Sequence, residues 1–115
     1  MAFTLKIKAK EWNGTPFSFG DLLNNCGLNY GHDNDFYVLD EGMNDSTAIL
    51  YNPNRIGRGI FFDGRGIDED EIVLSYNIPT TEAEIKDFIK VAAEVARQLG
   101  EVTMYCEEEI GRAHV

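Results

Sequence analysis

Cysteine is almost absent from this chain. Cys26 and Cys106 are the two cysteines in 115 residues, far apart and in no CxxC pair. No disulfide framework can be built from them, and a reduced, buried structural thiol is the expected role of each. Long apolar runs are missing too: none approaches the roughly 18 residues a membrane span needs. The N-terminus, MAFTLKIKAK, alternates apolar and basic residues and has no signal-peptide hydrophobic region. A cytoplasmic protein without a membrane partner is expected. Positive charge is scarce, with 10 Lys and Arg against 20 Asp and Glu and a formal net charge of −10. That balance disfavours nucleic-acid phosphates and anionic lipid, and favours a basic protein partner if there is a partner at all.

The familiar signatures of chemistry are also absent. There is no P-loop, no Gly-x-Ser-x-Gly elbow and no His-Glu-x-x-His. Gly57-x-Gly59-x-x-Phe62 lacks the third glycine of a dinucleotide fingerprint, and a strand pattern rather than a helix follows it. Gly-Arg-Gly-Ile occurs twice, at 57–60 and 64–67, which is far short of an arginine-glycine RNA-binding tract and suits tight turns and strand ends. The five tyrosines fit partly buried strand positions better than a base-stacking platform.

What is present is a core. A hydrophobic content of 43% suits one small globular domain, able to bury about two thirds of its unfolded surface. The stretch from Arg55 to Leu99 organises it. Ile85, Phe88, Ile89, Ala92, Ala96 and Leu99 recur at steps of three and four, which predicts a helix with these residues inward. Lys86, Asp87, Lys90, Glu94, Arg97 and Gln98 are expected on its outer face. Pro79 blocks helix upstream, Thr81 and Glu84 form a capping box, and Gly100 suits a left-handed stop.

Ile72, Leu74, Tyr76 and Ile78 alternate with polar or smaller residues, which predicts a strand, and Gly59–Phe62 predicts another with a turn after it. Val102, Met104 and Cys106 predict a strand after the helix. Toward the N-terminus, Phe3, Leu5 and Ile7 predict a half-buried strand, read as an edge strand guarded by lysines. Ser18 and Asp21 cap a short helix that ends near Cys26 and Gly27. GLNYGHDND reads as a polar loop, followed by strands at 35–39 and 47–51. The expected fold is α+β: a largely antiparallel sheet of about five or six strands on one long amphipathic helix, plus the short N-terminal helix.

Few residues are candidates for chemistry. Cys26 and His32 could pair as nucleophile and base, against the plainer reading of a packed cysteine and a loop histidine. Asp33 and Asp35 beside His32 could meet a metal, but the spacing matches no known site, and Val38 stands where a calcium loop needs glycine. No catalytic, cofactor or metal residue is therefore assigned. Asp68-Glu69-Asp70-Glu71 is the densest charge run. It fails as a calcium loop, and reads as a solvated turn or as an acidic surface for a basic partner.

The last six residues, Ile110-Gly111-Arg112-Ala113-His114-Val115, match the translation of a common short-read sequencing adapter. Its bases ATC GGA AGA GCA CAC GTC TGA encode Ile-Gly-Arg-Ala-His-Val and a stop, and the two preceding bases can complete the Glu109 codon. The expected native domain is therefore residues 1–109, cut short at its C-terminal end, with 110–115 set aside. His32 is then the one native histidine.

MAFTLKIKAK, LLNNCGLNY, RIGRGIFF and LSYNIPTTEAEIKDFIKVAAEVARQLG together resemble the bacterial domain of unknown function family 4299. The resemblance implies an uncharacterised protein of low-GC Gram-positive bacteria, longer than this chain, and carries over no site residues. The functional expectation is a non-catalytic, acidic cytoplasmic binding module, of the kind that neutralises a basic toxin or nuclease. The alternative is an enzyme fragment whose remaining catalytic residues lie beyond Glu109.

Overall fold

The computed structural model describes residues 2–11, 17–31, 47–52, 54, 59–64, 71–77 and 81–106. Their order is β1 (Ala2–Ala9), α1 (Phe19–Cys26), β2 (Asn29–Gly31), β3 (Thr47–Tyr51), β4 (Ile60–Asp63), β5 (Glu71–Asn77), α2 (Glu82–Leu99) and β6 (Val102–Cys106). The strands form one sheet in the order β2-β3-β4-β5-β1-β6, and every pairing is antiparallel. This is the expected α+β architecture, with two helices laid on one face of the sheet.

Strand alternation selects that face. Ile7, Ala9, Ala48, Leu50, Ile60, Phe62, Ile72, Leu74 and Tyr76 are buried beneath the helices, and residues two apart on a strand share a side. Phe62 of β4 receives Phe17 and Phe19 at ring-centroid distances of 5.6 and 5.5 Å, which places α1 over that half of the sheet. Phe88 of α2 meets Phe3 of β1 at 5.4 Å and Tyr76 of β5 at 6.0 Å, both edge-on. So α2 lies over β5 and β1.

Both helices start and stop as their sequences dictate. Ser18 Oγ accepts from the Asp21 N–H at 3.1 Å. Gly27, at φ 66°, closes α1, while the Leu28 N–H reaches Leu23 O at 2.9 Å. On α2 the capping box is complete: the Glu84 N–H donates to Thr81 Oγ1 at 3.2 Å and the Thr81 N–H to Glu84 Oε1 at 3.1 Å. Gly100 follows at φ 92° and ψ −134°, so it supplies a positive φ but not the left-handed helical turn expected of it.

Four further expectations are corrected. β1 is an interior strand with β5 and β6 on either side; its lysines occupy the helix-free face of the sheet instead of guarding an edge. Asn29–Gly31, inside the expected loop, is strand β2, a three-residue segment fixed by its pairing to β3 and too short to show alternation. The α2 stripe is rotated: Val91 and Val95 are fully buried and Asp87 and Glu94 largely so, while Ile85 and Ile89 are 46% and 59% exposed. Cys106 is exposed, because it stands on the edge strand. The strand expected at 35–39, the turn residues 65–70 and Ile78 lie outside the described residues.

Candidate functional surfaces

The two helices are joined by a polar clasp. Glu94 is 7% exposed and lies on the α2 flank that faces α1. It accepts from Asn25 Nδ2 at 3.1 Å, from Arg97 Nε and Nη2 at 2.9 and 2.6 Å, and from Gln98 Nε2 at 3.0 Å. Gln98 also grips the start of α1, accepting from the Ser18 N–H at 2.7 Å and donating to Ser18 O at 3.0 Å. Arg97, Gln98 and Asn25 hold the Glu94 carboxyl below its usual pKa, against the opposing effect of its burial. A buried carboxylate met by four donors is a satisfied structural group.

Cys26 ends α1 beside this clasp. Burial, then the negative charge of Glu94, push its thiol up to about 11, with Lys90 acting the other way. At neutral pH it stays a protonated, buried thiol, and nucleophilic sulfur chemistry needs the thiolate. His32, Asp33 and Asp35 lie outside the described residues. Among the described residues no group of three or more His, Cys, Asp or Glu side chains could hold a metal ion. A depression of about 290 Å³ lies along α2, lined by Glu82, Ala83, Lys86, Asp87 and Lys90. Its lining comes from one helix, and Lys86 pairs with Glu82 at 3.7 Å, so it lacks the convergent polar groups of a ligand pocket.

Of the acidic run, Asp68, Glu69 and Asp70 lie outside the described residues, and Glu71 opens β5. Glu71 stands opposite Lys8 of β1, which in turn stands opposite Thr103 of β6. Its carboxylate accepts from Tyr105 Oη of β6 at 2.7 Å, a bond that passes diagonally over β1 on the helix-free face. This register brings further acids to the same end of the molecule. Glu11 follows the end of β1, and Glu101 precedes β6, where the Lys10 N–H donates to Glu101 O at 2.8 Å. Glu94, and to a lesser degree nearby Asp21, raise the pKa of Arg97, and α1 starts where α2 ends, at the Ser18–Gln98 bonds. Glu11, Asp21 and Glu101 are exposed. The cations at this end are partly engaged: Lys10 pairs with Glu101 at 3.5 Å and Arg97 with Glu94.

Sequence reading missed two features. Glu94 and Gln98 read as outer-face residues because a helical wheel cannot show that a second helix flanks α2. The exposure of Ile85 and Ile89 was equally hidden, although the β-branched pair Val91 and Val95, with Phe88 and Leu99, marks the buried stripe better.

No helix among the described residues is long and apolar enough to cross a membrane. No curated protein and no solved structure matches this chain. The family of domains of unknown function DUF4299 matches residues 1–113, nearly the whole length. The match confirms the resemblance seen in the sequence motifs. The chain belongs to the DUF4299 family.

Proposed function

We propose that this protein is a non-catalytic binding module that captures a basic protein partner through its acidic end. The observation that carries this reading is the strand register, which gathers Glu11, Glu71 and Glu101 at the end where Asp21 also stands. The sequence run Asp68-Glu69-Asp70 leads directly into Glu71. Such a surface on a chain of net charge −10 steers a cationic partner and accelerates its encounter. A toxin or nuclease with a basic active face is the partner class that fits, and neutralisation by occlusion is the corresponding activity. A cytoplasmic site of action belongs to the same reading, since both thiols are free and a reducing compartment keeps them so.

Charge reversal tests the surface. D68K/D70K/E71K should weaken capture of the partner by at least about tenfold and flatten its salt dependence. E82K, at the far end of α2, should leave capture unchanged. Partners that remain bound to the triple variant as tightly as to the native chain would show the proposed surface to be wrong.

A further inference from the structure

We propose that the basic partner docks as an extended strand on the outer edge of β6, adding a seventh strand to the sheet. This mode of docking rests on the reading above, that the partner is basic, and names the backbone groups it meets. The strand register identifies them. Lys10 and Glu101 continue the pairing of β1 with β6, and the Lys10 N–H donates to Glu101 O at 2.8 Å. Hydrogen-bonded pairs alternate with non-bonded pairs along an antiparallel ladder. The bonded pairs are therefore Lys10–Glu101, Lys8–Thr103 and Lys6–Tyr105. Thr103 and Tyr105 turn their N–H and C=O groups inward to β1. Val102, Met104 and Cys106 turn theirs outward, to the side where no strand pairs with β6 among the described residues.

Edge strands are ordinarily shortened, charged or interrupted by proline, because an open row of backbone donors and acceptors recruits other strands. β6 spans five residues, Val102–Cys106, with neither charge nor proline. Pairing to an interior strand along its whole length holds it extended. Strand addition draws its affinity from such a main-chain row. Charge decides the occupant. Residues 101–109 include four glutamates and no Lys or Arg: Glu101 precedes β6, and Glu107, Glu108 and Glu109 follow it in the sequence. The nearby cations of β1 already meet acids, Lys10 at 3.5 Å from Glu101 and Lys8 opposite Glu71. A second copy of the chain, pairing antiparallel about Met104, would bring Glu101 toward the glutamates that follow Cys106. Like charges facing each other across a strand pair are destabilising. A strand with lysine or arginine at both ends meets opposite charges instead.

Synthetic peptides are the probe. One alternates valine and threonine and carries a lysine at each end. A second is the same peptide N-methylated at every internal residue, and a third has glutamate in place of lysine. Affinity for the 115-residue chain is measured by calorimetric titration, and amide exchange residue by residue by NMR. The lysine-ended peptide should bind at least about tenfold more tightly than either of the others. It should slow exchange of the Val102, Met104 and Cys106 amides at least about tenfold, with smaller changes at Thr103 and Tyr105. Equal binding of the lysine-ended peptide and its N-methylated form overturns the strand mode, yet leaves the acidic capture surface standing. Equal binding of the lysine-ended and glutamate-ended peptides overturns the basic occupant, and the reading above with it. Binding that protects none of the three outward amides, or no binding by any peptide, overturns the proposal. A chain that sediments as a dimer, with those amides protected before peptide is added, overturns it in favour of a second copy.

Discussion

Glu94 is the residue on which the contact between the two helices rests. Deleting it leaves Asn25 and Gln98 without their shared acceptor, and E94A should cost about 2 kcal/mol in urea unfolding at pH 7. Its pH dependence has a fixed sign. Because the folded pKa is lowered, its contribution is present above the unfolded value of roughly 4.3 and is lost as pH falls through the folded value. Stability of the native chain should therefore fall more steeply below that pH than stability of E94Q, and parallel curves would contradict the assignment. Gly59 is a second such position. A Cβ there would lie 2.1 Å from Ile49 Cγ2 and 3.0 Å from Leu50 O, so G59A should destabilise by about 1–3 kcal/mol. Trimming Ile49 to Ala in the same chain should recover part of that loss, and a double-mutant cycle measures the coupling. Neither Glu94 nor Gly59 was legible as such, because both roles depend on a neighbour distant in sequence.

The elements themselves were more legible than their packing. Period-two and period-3.6 patterns, together with Ser18, Gly27, Thr81 and Glu84, place α1, α2, β1, β3, β4, β5 and β6 to within a residue or two. Local chemistry writes those signals, so sequence shows them. Which flank of α2 is buried depends instead on where α1 lies, and which strand is the edge depends on the pairing order. Hence Ile89, expected inward, lies exposed while Val91 is buried, and β1 moved inside the sheet. Substitution separates the two helical stripes cleanly. F88A should cost about 3–5 kcal/mol, since Phe88 fills the space between Phe3 and Tyr76. I89A should change stability by no more than about 0.5 kcal/mol in the 115-residue chain. Comparable losses at both positions would mean that the buried stripe runs through Ile89 after all.

At the scale of the whole molecule, the two ends of α2 carry different surfaces. Its C-terminal end adjoins the acids of β1, β5 and β6, whereas Ile85 and Ile89 of its N-terminal half are exposed, as are Met104 and Cys106 of β6. Composition made the first legible as net charge, but the register was needed to put Glu71 beside Glu11 and Glu101. The second was invisible in sequence, because Met104 and Cys106 alternate as they would in a strand covered on that side. Capture from cell extracts tests the acidic binding end. Native chain and D68K/D70K/E71K are used to capture proteins from extracts of the source cells at low and high salt, with bound proteins identified and their affinities measured. A stoichiometric basic partner, lost in the triple variant and weakened by salt, is the expected result. A partner held equally by both chains, with no dependence on salt, would contradict it.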